Sequence, residues 1–367
     1  MKIFVTGTRG IPDIPGGVET HCQHLYPHIV SHGHEVHLSR RISYVNDGLE
    51  QWKGIKLHDI YTPRSKAFEA IIHTFLSIIK AKQLHVDIVH IHAVGPALLV
   101  PFARLLGMKV VFTNHGPDYD RQKWGRVSKW VLMLGEYLGG RYSSVNIVIS
   151  EVIRQIVLSR CKRDSQIIYN GVTKNNPAVN TDYLDSIGVS KGQYIIAVAR
   201  FVPEKGLHDL IDAYAKTNSA YKLVIAGDAD HEDEYSKLLK KKALNNNVTL
   251  TGYIGGEGLN QVYSHAALFV LPSYHEGLPI ALLEALSYGL NVLVSDIPAN
   301  MEVGLEKRHY FKCGDIKQLA NSLNMILNEG VGASYNNKIC KMLEDKYEWG
   351  KIAQQTIEVY KKSLNFK

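Results

Sequence analysis

The sequence predicts an α/β protein built from two similar domains. Apolar runs typical of buried strands alternate with stretches of helical periodicity in both halves of the chain, which is the pattern of repeated βα units. At 367 residues the chain is too long for one ordinary core and suits two domains of average size. A polar stretch at 171–177 separates the two series, so we place the domains at 1–175 and 176–351.

Six strands are predicted in the first half and five in the second. The first six are Lys2–Gly7, Glu35–Ser39, Ile88–His92, Lys109–Asn114, Asn146–Ser150 and Gln166–Tyr169. The other five are Tyr194–Ala199, Tyr221–Ala226, Val248–Gly252, Leu268–Leu271 and Asn291–Ser295.

Two helical segments have features that bear on the fold. Pro27 falls inside the first helical run and predicts a kink or an early break there, because proline supplies no N–H to the helix. From about Ser334 onward the chain reads as helix alone. We expect its last helix, at about 352–367, to pack back on the first domain.

The formal net charge of +7 is concentrated in the first half of the chain. Residues 1–180 contain 22 Lys and Arg against 13 Asp and Glu, which leaves 20 against 22 for the rest. This asymmetry predicts an anionic partner for the first half, which could be a lipid surface, a phosphorylated acceptor or nucleic acid. Nucleic acid is not expected, because zinc-finger spacing, RNP sequences and dense Lys/Arg runs with interleaved aromatic residues are missing.

Cysteine spacing and hydropathy favour the cytoplasm as the location of the protein. The four cysteines lie far apart without CxxC spacing, which favours reduced thiols over a disulfide framework or a zinc site. The chain opens with a strand-like segment instead of a signal peptide, and no apolar run is long enough to span a bilayer.

The most informative segment follows the predicted strand Leu268–Leu271. Glu276 falls in the connection that leaves the carboxyl end of this strand, where open α/β sheets bind their ligands. Pro279 suits the first position of the next helix, and Gly277 allows backbone amides to approach a ligand closely. The helix end can therefore receive an anion. Glu284 lies about one and a half turns into the same helix, close enough to reach another part of a large ligand.

A pair of glycines marks a second candidate anion site in the first half. Gly16 and Gly17 precede an amphipathic helical run, and N–H groups at the positive end of a helix commonly hold diphosphates. The alternative is a loop whose glycines merely turn the chain. An NAD(P) site is disfavoured, because the G-x-G-x-x-G spacing is missing and the second strand ends at Arg40 and Arg41 instead of an acidic residue.

Two cations lie on a loop in the second half. Arg200 and Lys205 follow a predicted strand and precede an amphipathic helix, so they could clamp a diphosphate and neutralise charge that develops as its bond to a sugar breaks. The alternative is solvated surface charge. Their position at a strand end, together with the second anion-accepting helix, favours the binding role.

These motifs together resemble the glycosyltransferases of family 4 over nearly the whole chain. The most specific element is the spacing of Glu276 and Glu284 inside EGLPIALLEA, supported by NHG around His115, YNGV at 169–172 and AGD at 226–228. The opening GTRGIP…GGVET is similar to bacterial surface-polysaccharide glycosyltransferases. The resemblance implies a GT-B fold, with two facing Rossmann-like domains and a cleft between them. It also implies a nucleotide-sugar donor held mainly by the C-terminal domain, an acceptor held mainly by the N-terminal domain, and retention at the anomeric carbon.

The resemblance assigns roles by position. Glu276 would contact the donor sugar at the reacting centre, and Glu284 would accept hydrogen bonds from the ribose hydroxyls. Arg200 and Lys205 would hold the diphosphate and stabilise the departing nucleotide. His115 would approach a hydroxyl of the transferred sugar, although a histidine at a strand end is more often a structural group.

The remaining donor contacts would be backbone amides and two residues beside the base. The Gly17 amide and the amides near 277–280 would complete the anion site, while Tyr253 and Ile254 would border the base or belong to the core. The donor-binding residues expected are Gly16, Gly17, Gly277, Leu278, Pro279, Ile280, Glu284, Tyr253 and Ile254.

We expect no metal ion and no cofactor besides the donor substrate. Two short DxD patterns, at 118–120 and 228–230, match the metal-binding pattern of sugar transferases with another fold, but chance matches to so short a pattern are common. The cations Arg200 and Lys205 offer an alternative means of stabilising the leaving group.

A basic and aromatic segment in the first half suits contact with an anionic membrane surface. Lys123, Trp124, Arg126, Lys129 and Trp130 combine cations with indole rings just before an apolar run. Core packing is an equally good explanation of the apolar run itself. Membrane contact would agree with a lipid-linked acceptor.

The sequence therefore predicts a retaining glycosyltransferase that moves a hexose-type unit from a nucleoside diphosphate sugar to a lipid-linked saccharide. We expect it to act in bacterial polysaccharide, O-antigen or lipopolysaccharide biosynthesis, as a cytoplasmic protein peripheral to the inner face of the cell membrane. Two alternatives remain: a nucleotide-sugar epimerase of similar fold, and a non-catalytic nucleotide-sugar binding protein.

Overall fold

The structure, a computed structural model, describes residues 1–63, 68–117, 119, 125–173, 176–217, 219–229, 232–329 and 333–366. The chain divides into two compact units. The first contains Met1–Gly171 together with the chain from Lys346 onward, and the second contains Val172–Asp345.

The first unit is built on an eight-stranded sheet in the order β3-β4-β2-β1-β5-β6-β7-β8. Its strands pair in parallel except for the edge pair β3 and β4, which is antiparallel. The strands are β1 (Lys2–Thr6), β2 (Glu35–Arg41), β3 (Gln51–Trp52), β4 (Ile55–Ile60), β5 (Ile88–His92), β6 (Lys109–Asn114), β7 (Val145–Val148) and β8 (Gln166–Ile167).

Helices cover both faces of this sheet, as a parallel sheet requires. One hydrophobic core packs the first and last helices against the sheet, and another fills the opposite face. The helices that precede residue 172 are α1 (Gly17–Ser31), α2 (Glu69–Gln83), α3 (Val100–Leu105), α4 (Arg126–Tyr142) and α5 (Glu151–Cys161). The helices that follow are α6 (Asp182–Ser186), α7 (Leu207–Tyr214), α8 (Glu234–Asn245), α9 (Gly256–Ser264), α10 (Ile280–Ser287), α11 (Pro298–Met301), α12 (Ile316–Glu329) and α13 (Ala333–Lys346). The last helix is α14 (Trp349–Leu364).

The second unit is built on a six-stranded, wholly parallel sheet in the order β11-β10-β9-β12-β13-β14. Its central apolar strands are buried, and α7, α8 and α12 contribute side chains to one large core with alternate strand residues. The strands are β9 (Tyr194–Val198), β10 (Lys222–Ala226), β11 (Thr249–Gly252), β12 (Leu268–Leu271), β13 (Val292–Ser295) and β14 (Tyr310–Phe311).

Each predicted strand corresponds to a strand of the structure, with ends that differ by up to two residues. Three strands were missed. β3 and β14 are only two residues long, and β4 mixes charged with apolar residues near the edge of its sheet, so none of them forms a continuous apolar run. Of the kink or early break predicted at Pro27, the early break does not occur, because α1 continues through Pro27 to Ser31.

The terminal helix α14 belongs to the first unit. Trp349, Ile352 and Tyr360 are buried in the same core as α1, and a Cβ at Gly171 would collide with the indole ring of Trp349. Across the described ranges, no helix is both long enough and apolar enough to cross a membrane. The four cysteines are free thiols, of which Cys22 and Cys161 are buried and Cys340 is exposed.

Candidate active site

The centre of the second sheet places two loops side by side. Strands β9 and β12 are neighbours, β10 and β11 extend the sheet on one side, and β13 and β14 extend it on the other. The chain therefore reverses its direction of winding between β9 and β12, and such a reversal opens a crevice at the carboxyl ends of the strands. The loop with Arg200 and Lys205 leaves β9 here, and the loop with Glu276 leaves β12.

Backbone contacts hold these two loops together. Gly206 has a φ of 63°, and a Cβ at this position would collide with the carbonyl oxygen of Pro272. The Tyr274 amide donates a hydrogen bond to the Glu204 carbonyl at 2.9 Å. Glycine is thus required at 206 both by its conformation and by the close approach of the other loop.

This approach places Lys205 directly against Glu276. The Lys205 ammonium donates to Oε1 of Glu276 at 2.5 Å, and the Ser273 hydroxyl donates to the same oxygen at 2.7 Å. The side chains are 20% and 9% exposed, so the pair is partly desolvated. Both bonds hold Oε1, which leaves Oε2 of Glu276 as the oxygen that can meet a ligand.

Arg200 lies two residues beyond the end of β9, on the same half-buried loop as Lys205. An ammonium and a guanidinium at one strand end can hold a diphosphate, since the guanidinium can bind phosphate oxygens bidentately and the ammonium acts as a point charge.

Helix α10 begins one residue later than predicted. Ile280 is its first residue, and Pro279 is its N-cap with extended backbone angles. The prediction that Pro279 occupies the first helical position was therefore wrong by one residue. Leu278 and Pro279 are buried, and Gly277 and Ile280 are partly exposed. Contacts from the buried Leu278 to a ligand would therefore be made by its backbone.

Glu284 lies inside α10 and accepts a hydrogen bond from the Tyr263 hydroxyl at 3.2 Å. Burial raises the pKa of this carboxyl to about 7, and the Tyr263 bond only partly offsets that rise. The residue keeps some exposed surface, so a ligand can reach it. A carboxyl group with a pKa of about 7 can lose its proton at neutral pH and then accept hydrogen bonds from ligand hydroxyls.

Tyr253 and Ile254 follow the carboxyl end of β11. The Tyr253 side chain is 65% exposed, which excludes the alternative that it is a core residue. Ile254 is partly exposed.

In the first unit, Gly16 and Gly17 stand at the start of α1 as predicted. Gly16 is the N-cap with a φ of 148°, and a Cβ there would collide with the side chains of Arg9 and Glu19. A Cβ at Gly17, in contrast, would meet no described atom within 4 Å. Internal packing therefore explains the glycine at 16 only, and a glycine at 17 leaves room in front of the helix end.

His115 lies just beyond β6 on a loop that a buried carboxylate anchors. Glu136 accepts hydrogen bonds from Asn114 at 3.0 Å and from the Tyr119 hydroxyl at 3.0 Å. The Asn114 side chain also accepts from the amide of Gly116 at 2.9 Å. The backbone on both sides of His115 is thus fixed.

Three histidines form the one group of the described chain that offers three metal ligands. His21, His92 and His115 have ligand atoms within 4.8 Å of one another. However, Nδ1 of His92 and Nε2 of His115 are hydrogen-bonded to each other at 2.9 Å, and their ring centroids are 5.2 Å apart. The two ring centroids are farther apart than the two bonded nitrogens by about one ring width. The bonded nitrogens therefore lie between the rings and point at each other. Their lone pairs do not converge on a common point, as ligation of one ion requires.

Of the aspartates in the two DxD patterns, the structure describes only Asp228. Asp228 forms an ion pair with Lys240 at 3.0 Å. The other three aspartates of the two patterns, Asp118, Asp120 and Asp230, lie outside the described residues.

Helix α4 exposes apolar and basic side chains along one side. Val127 is 77% exposed, Trp130 63%, and Met133 and Tyr137 42% each. Their spacing of three to four residues places them on one face, while Glu136 and the glycines of this helix are buried on the other. Arg126 and Lys129 flank this face. Lys123 and Trp124, which were predicted to take part, lie outside the described residues.

Comparison with known protein families finds a match for each half of the chain. A model of the glycosyl transferases group 1 matches residues 183–345, and a model of glycosyltransferase family 4 matches residues 15–175. The chain belongs to the family 4 glycosyltransferases. The predicted family is thereby confirmed, and the two matches fall on the two units of the structure.

Three curated relatives are similar to this glycosyltransferase over different shares of its length. An uncharacterized glycosyltransferase of Methanocaldococcus jannaschii is 28% identical over 98% of both chains. The alpha-monoglucosyldiacylglycerol synthase of Acholeplasma laidlawii is 23% identical over 80% of both chains. The O-antigen chain mannosyltransferase B of Escherichia coli is 24% identical over 46% of this chain and 45% of its own.

Solved structures identify the fold of this glycosyltransferase as GT-B, as predicted. Sucrose-phosphate synthase of Thermosynechococcus elongatus matches with a TM-score of 0.85 and 20% identity over 100% of both chains. Anabaena HepE in complex with UDP-glucose matches with a TM-score of 0.79 and 18% identity over 98% of both chains.

Sequence reasoning missed several residues that support the predicted ones in this glycosyltransferase. Ser273 holds Glu276, Tyr263 holds Glu284, and His92 holds His115. Ser273 stands three residues before Glu276, a spacing that could have suggested the contact. Tyr263 and His92 are distant in sequence from their partners, so the sequence contained no signal for them.

Proposed function

We propose that this glycosyltransferase transfers a hexose-type sugar from a nucleoside diphosphate sugar to a saccharide acceptor, with retention at the anomeric carbon. The observation that carries the proposal is the Lys205–Glu276 pair. It joins a cation and a carboxylate at the carboxyl ends of two neighbouring central strands, where a phosphorylated sugar would need both.

The charges of these residues suit the charge that develops as the glycosidic phosphate bond breaks. The departing nucleoside diphosphate gains negative charge, which Lys205 and Arg200 would stabilise in place before the reaction. Oε2 of Glu276 would contact the sugar, and Glu284 would accept bonds from the ribose hydroxyls. Retention would follow from attack on the same face of the sugar, with the departing phosphate accepting the proton of the acceptor hydroxyl.

We further propose that the acceptor is a lipid-linked saccharide presented at an anionic membrane surface. The exposed side of α4 supports this, because Val127, Trp130 and Met133 are too exposed to serve as core, and Arg126 and Lys129 would face lipid phosphates. The excess of Lys and Arg in residues 1–180 also supports contact with an anionic surface.

We place the reaction in bacterial surface-polysaccharide assembly, at the cytoplasmic face of the membrane. The relatives named for O-antigen and for a glycosylated diacylglycerol support an acceptor of this class. Catalysis would need no metal ion, since Lys205 and Arg200 supply the positive charge.

A donor screen followed by product analysis tests the reaction. Thermal shifts with UDP, GDP, ADP and dTDP sugars would identify the nucleotide, because a ligand that binds only the folded state raises its stability. Transfer to acceptors is then measured, and NMR of the product shows whether the anomeric configuration matches that of the donor. Inversion would contradict the mechanism. An altered sugar nucleotide formed without acceptor would identify an epimerase, and binding without turnover would identify a binding protein.

Sedimentation with vesicles tests the membrane surface. Vesicles of anionic phospholipid should bind the wild-type protein at low salt, and R126E/K129E should abolish this binding. K237E/K241E on α8 makes the same change of charge at exposed positions outside α4 and serves as the control. Equal binding of wild type and R126E/K129E would contradict the proposed surface.

A further inference from the structure

A chain of buried hydrogen bonds leads from α1 to His115. The Tyr26 hydroxyl contacts Nε2 of His92 at 2.6 Å, and Nδ1 of His92 contacts Nε2 of His115 at 2.9 Å. Tyr26 and His92 are fully buried, whereas His115 is partly exposed. Among the described residues, Nδ1 of His115 makes no hydrogen bond, so this atom is left for a ligand.

A second hydroxyl serves the neighbouring histidine. Tyr360 on α14 contacts Nδ1 of His90 at 2.7 Å, and Nε2 of His90 contacts the Thr113 hydroxyl at 2.7 Å. The Tyr26 hydroxyl also lies 2.9 Å from Nδ1 of His90, a longer contact than its contact with His92. His90 therefore has a nearer hydroxyl than that of Tyr26.

Burial keeps four neighbouring histidines neutral at physiological pH, namely His21, His90, His92 and His115. Burial lowers the pKa of His21 to about 4 and that of His90 to about 3, and it lowers the pKa of His92 and His115 well below the ordinary value. A neutral imidazole carries one N–H, so one of its nitrogens donates and the other accepts.

We assign the direction of the bonds from the contact lengths. A hydroxyl has one proton to donate, and bonds donated by O–H are shorter than those donated by N–H. The Tyr26 hydroxyl has a further hydrogen-bond partner in the Tyr360 hydroxyl. Its contact with His92 is shorter than its contact with His90, and on that ground we assign its proton to the bond with Nε2 of His92. Nε2 then accepts, and the single proton of His92 must be on Nδ1, where it is donated to Nε2 of His115. The proton of His115 is thereby left on Nδ1.

We propose that Tyr26 and His92 are positioning residues that fix the tautomer of His115, so that its Nδ1–H faces the ligand as a hydrogen-bond donor. This inference rests on the proposed function only in naming the ligand. A neutral N–H donor suits a hydroxyl or phosphoryl oxygen. A donor sugar with a methyl group in place of that hydroxyl would leave the N–H without a partner.

The tautomer can be measured without any ligand. Long-range ¹H–¹⁵N NMR spectra of the full chain labelled at histidine distinguish a proton on Nδ1 from one on Nε2, and the His115→Asn variant assigns the signal. We expect Nδ1–H for His115 in the wild type. Y26F should make the tautomer mixed, because Nε2 of His92 loses its donor. T356V removes a buried hydroxyl from α14 that bonds only within its own helix, and it should leave the tautomer unchanged.

A second pair of variants separates positioning from packing. H92N retains an N–H in the place of Nδ1 and should keep the His115 proton on Nδ1. H92L has no N–H in its side chain, so the His115 tautomer should become mixed. Donor affinity should fall about two- to five-fold in Y26F and H92L, in proportion to the lost fraction of the competent tautomer, and should be kept in H92N and T356V. Calorimetric titration with the nucleotide sugar that stabilises the wild type measures this.

Several results would overturn the inference. Nε2–H on His115 in the wild type would reverse the deduced direction, and an unchanged tautomer in Y26F would remove the role of Tyr26. A changed tautomer with unchanged donor affinity would show that Nδ1–H does not meet the donor. If no nucleotide sugar binds the wild type, the proposed function fails, and the NMR measurement still decides whether Tyr26 and His92 fix the tautomer.

Discussion

The buried carboxyl group of Glu284 should make the second unit less stable at alkaline pH. Burial raises its pKa from 4.5 to about 7, so the folded state holds a proton that the unfolded chain has lost. The sign follows from linkage: stability is fully present below pH 4.5 and is lost as the pH rises through 7, where the folded protein must ionise a buried group. Each pKa unit corresponds to 1.36 kcal/mol, so the loss is about 3 kcal/mol above pH 8. This is an upper limit, because Glu284 keeps some exposed surface.

The E284Q variant tests this cost. An amide has nearly the same shape, can still accept the bond from Tyr263 and never ionises. We expect E284Q to be more stable than the wild type by up to about 3 kcal/mol at pH 8.5, with most of the difference gone at pH 5. E257Q changes an exposed carboxylate of the same unit and should have little effect at either pH.

Urea unfolding of the free protein, followed by circular dichroism at both pH values, measures the difference. All four tryptophans fall outside residues 172–345, so tryptophan fluorescence reports the first unit only and should be unaffected by E284Q. If E284Q is no more stable than the wild type at pH 8.5, the carboxyl group does not carry the desolvation inferred here.

Four further predictions concern ligand binding and catalysis. K205A and R200A should each lower kcat by about 10²–10³ with little change in KM, because they remove charge stabilisation of the leaving group; a change confined to KM in steady-state kinetics would contradict this role. Affinity for the nucleotide sugar that stabilises the wild type should increase from pH 6 to pH 8 as Glu284 ionises and then level off, and calorimetric titration in which E284Q shows the same increase would exclude Glu284 as its cause. G17A should keep the melting temperature but weaken donor binding. G16A should lower the melting temperature, because Gly16 has a positive φ and a Cβ there would collide with Arg9 and Glu19. Equal melting temperatures of the two variants would refute this difference between Gly16 and Gly17. Activity should survive removal of metal by EDTA, and activity that returns only on addition of a divalent cation would refute charge stabilisation by the protein alone.

Local patterns were sufficient for most elements of the fold. Buried parallel strands produce continuous apolar runs, and eleven such runs correspond to strands of the structure. The exceptions have local reasons. β3 and β14 are too short to form a pattern, and β4 mixes charged residues into its run. The backbone geometry around Pro27 depends on the packing of α1 in its core, which a local rule about proline does not include.

The candidate site was predictable where its residues stand near one another in sequence. EGLPIALLEA contains its two glutamates and its helix start within one segment, and the Arg200–Lys205 loop is equally compact. The contact between Lys205 and Glu276 spans 71 residues and depends on the adjacency of β9 and β12. The resemblance suggested that these residues belong to one site, but not that Lys205 would bond to Glu276 and share Oε1 with Ser273.

The sequence by itself determined the class of fold, the order of most elements and the identity of the charged residues, because each depends on short-range periodicity and residue chemistry. Only the tertiary structure decided which atoms meet. Tyr26, His92 and His115 come from a helix, a strand and a loop that are far apart along the chain, and their hydrogen bonds exist because the parallel sheet brings β5 beside β6 beneath α1. The pKa of Glu284 has the same origin, since desolvation is a property of the packed environment and not of the residue.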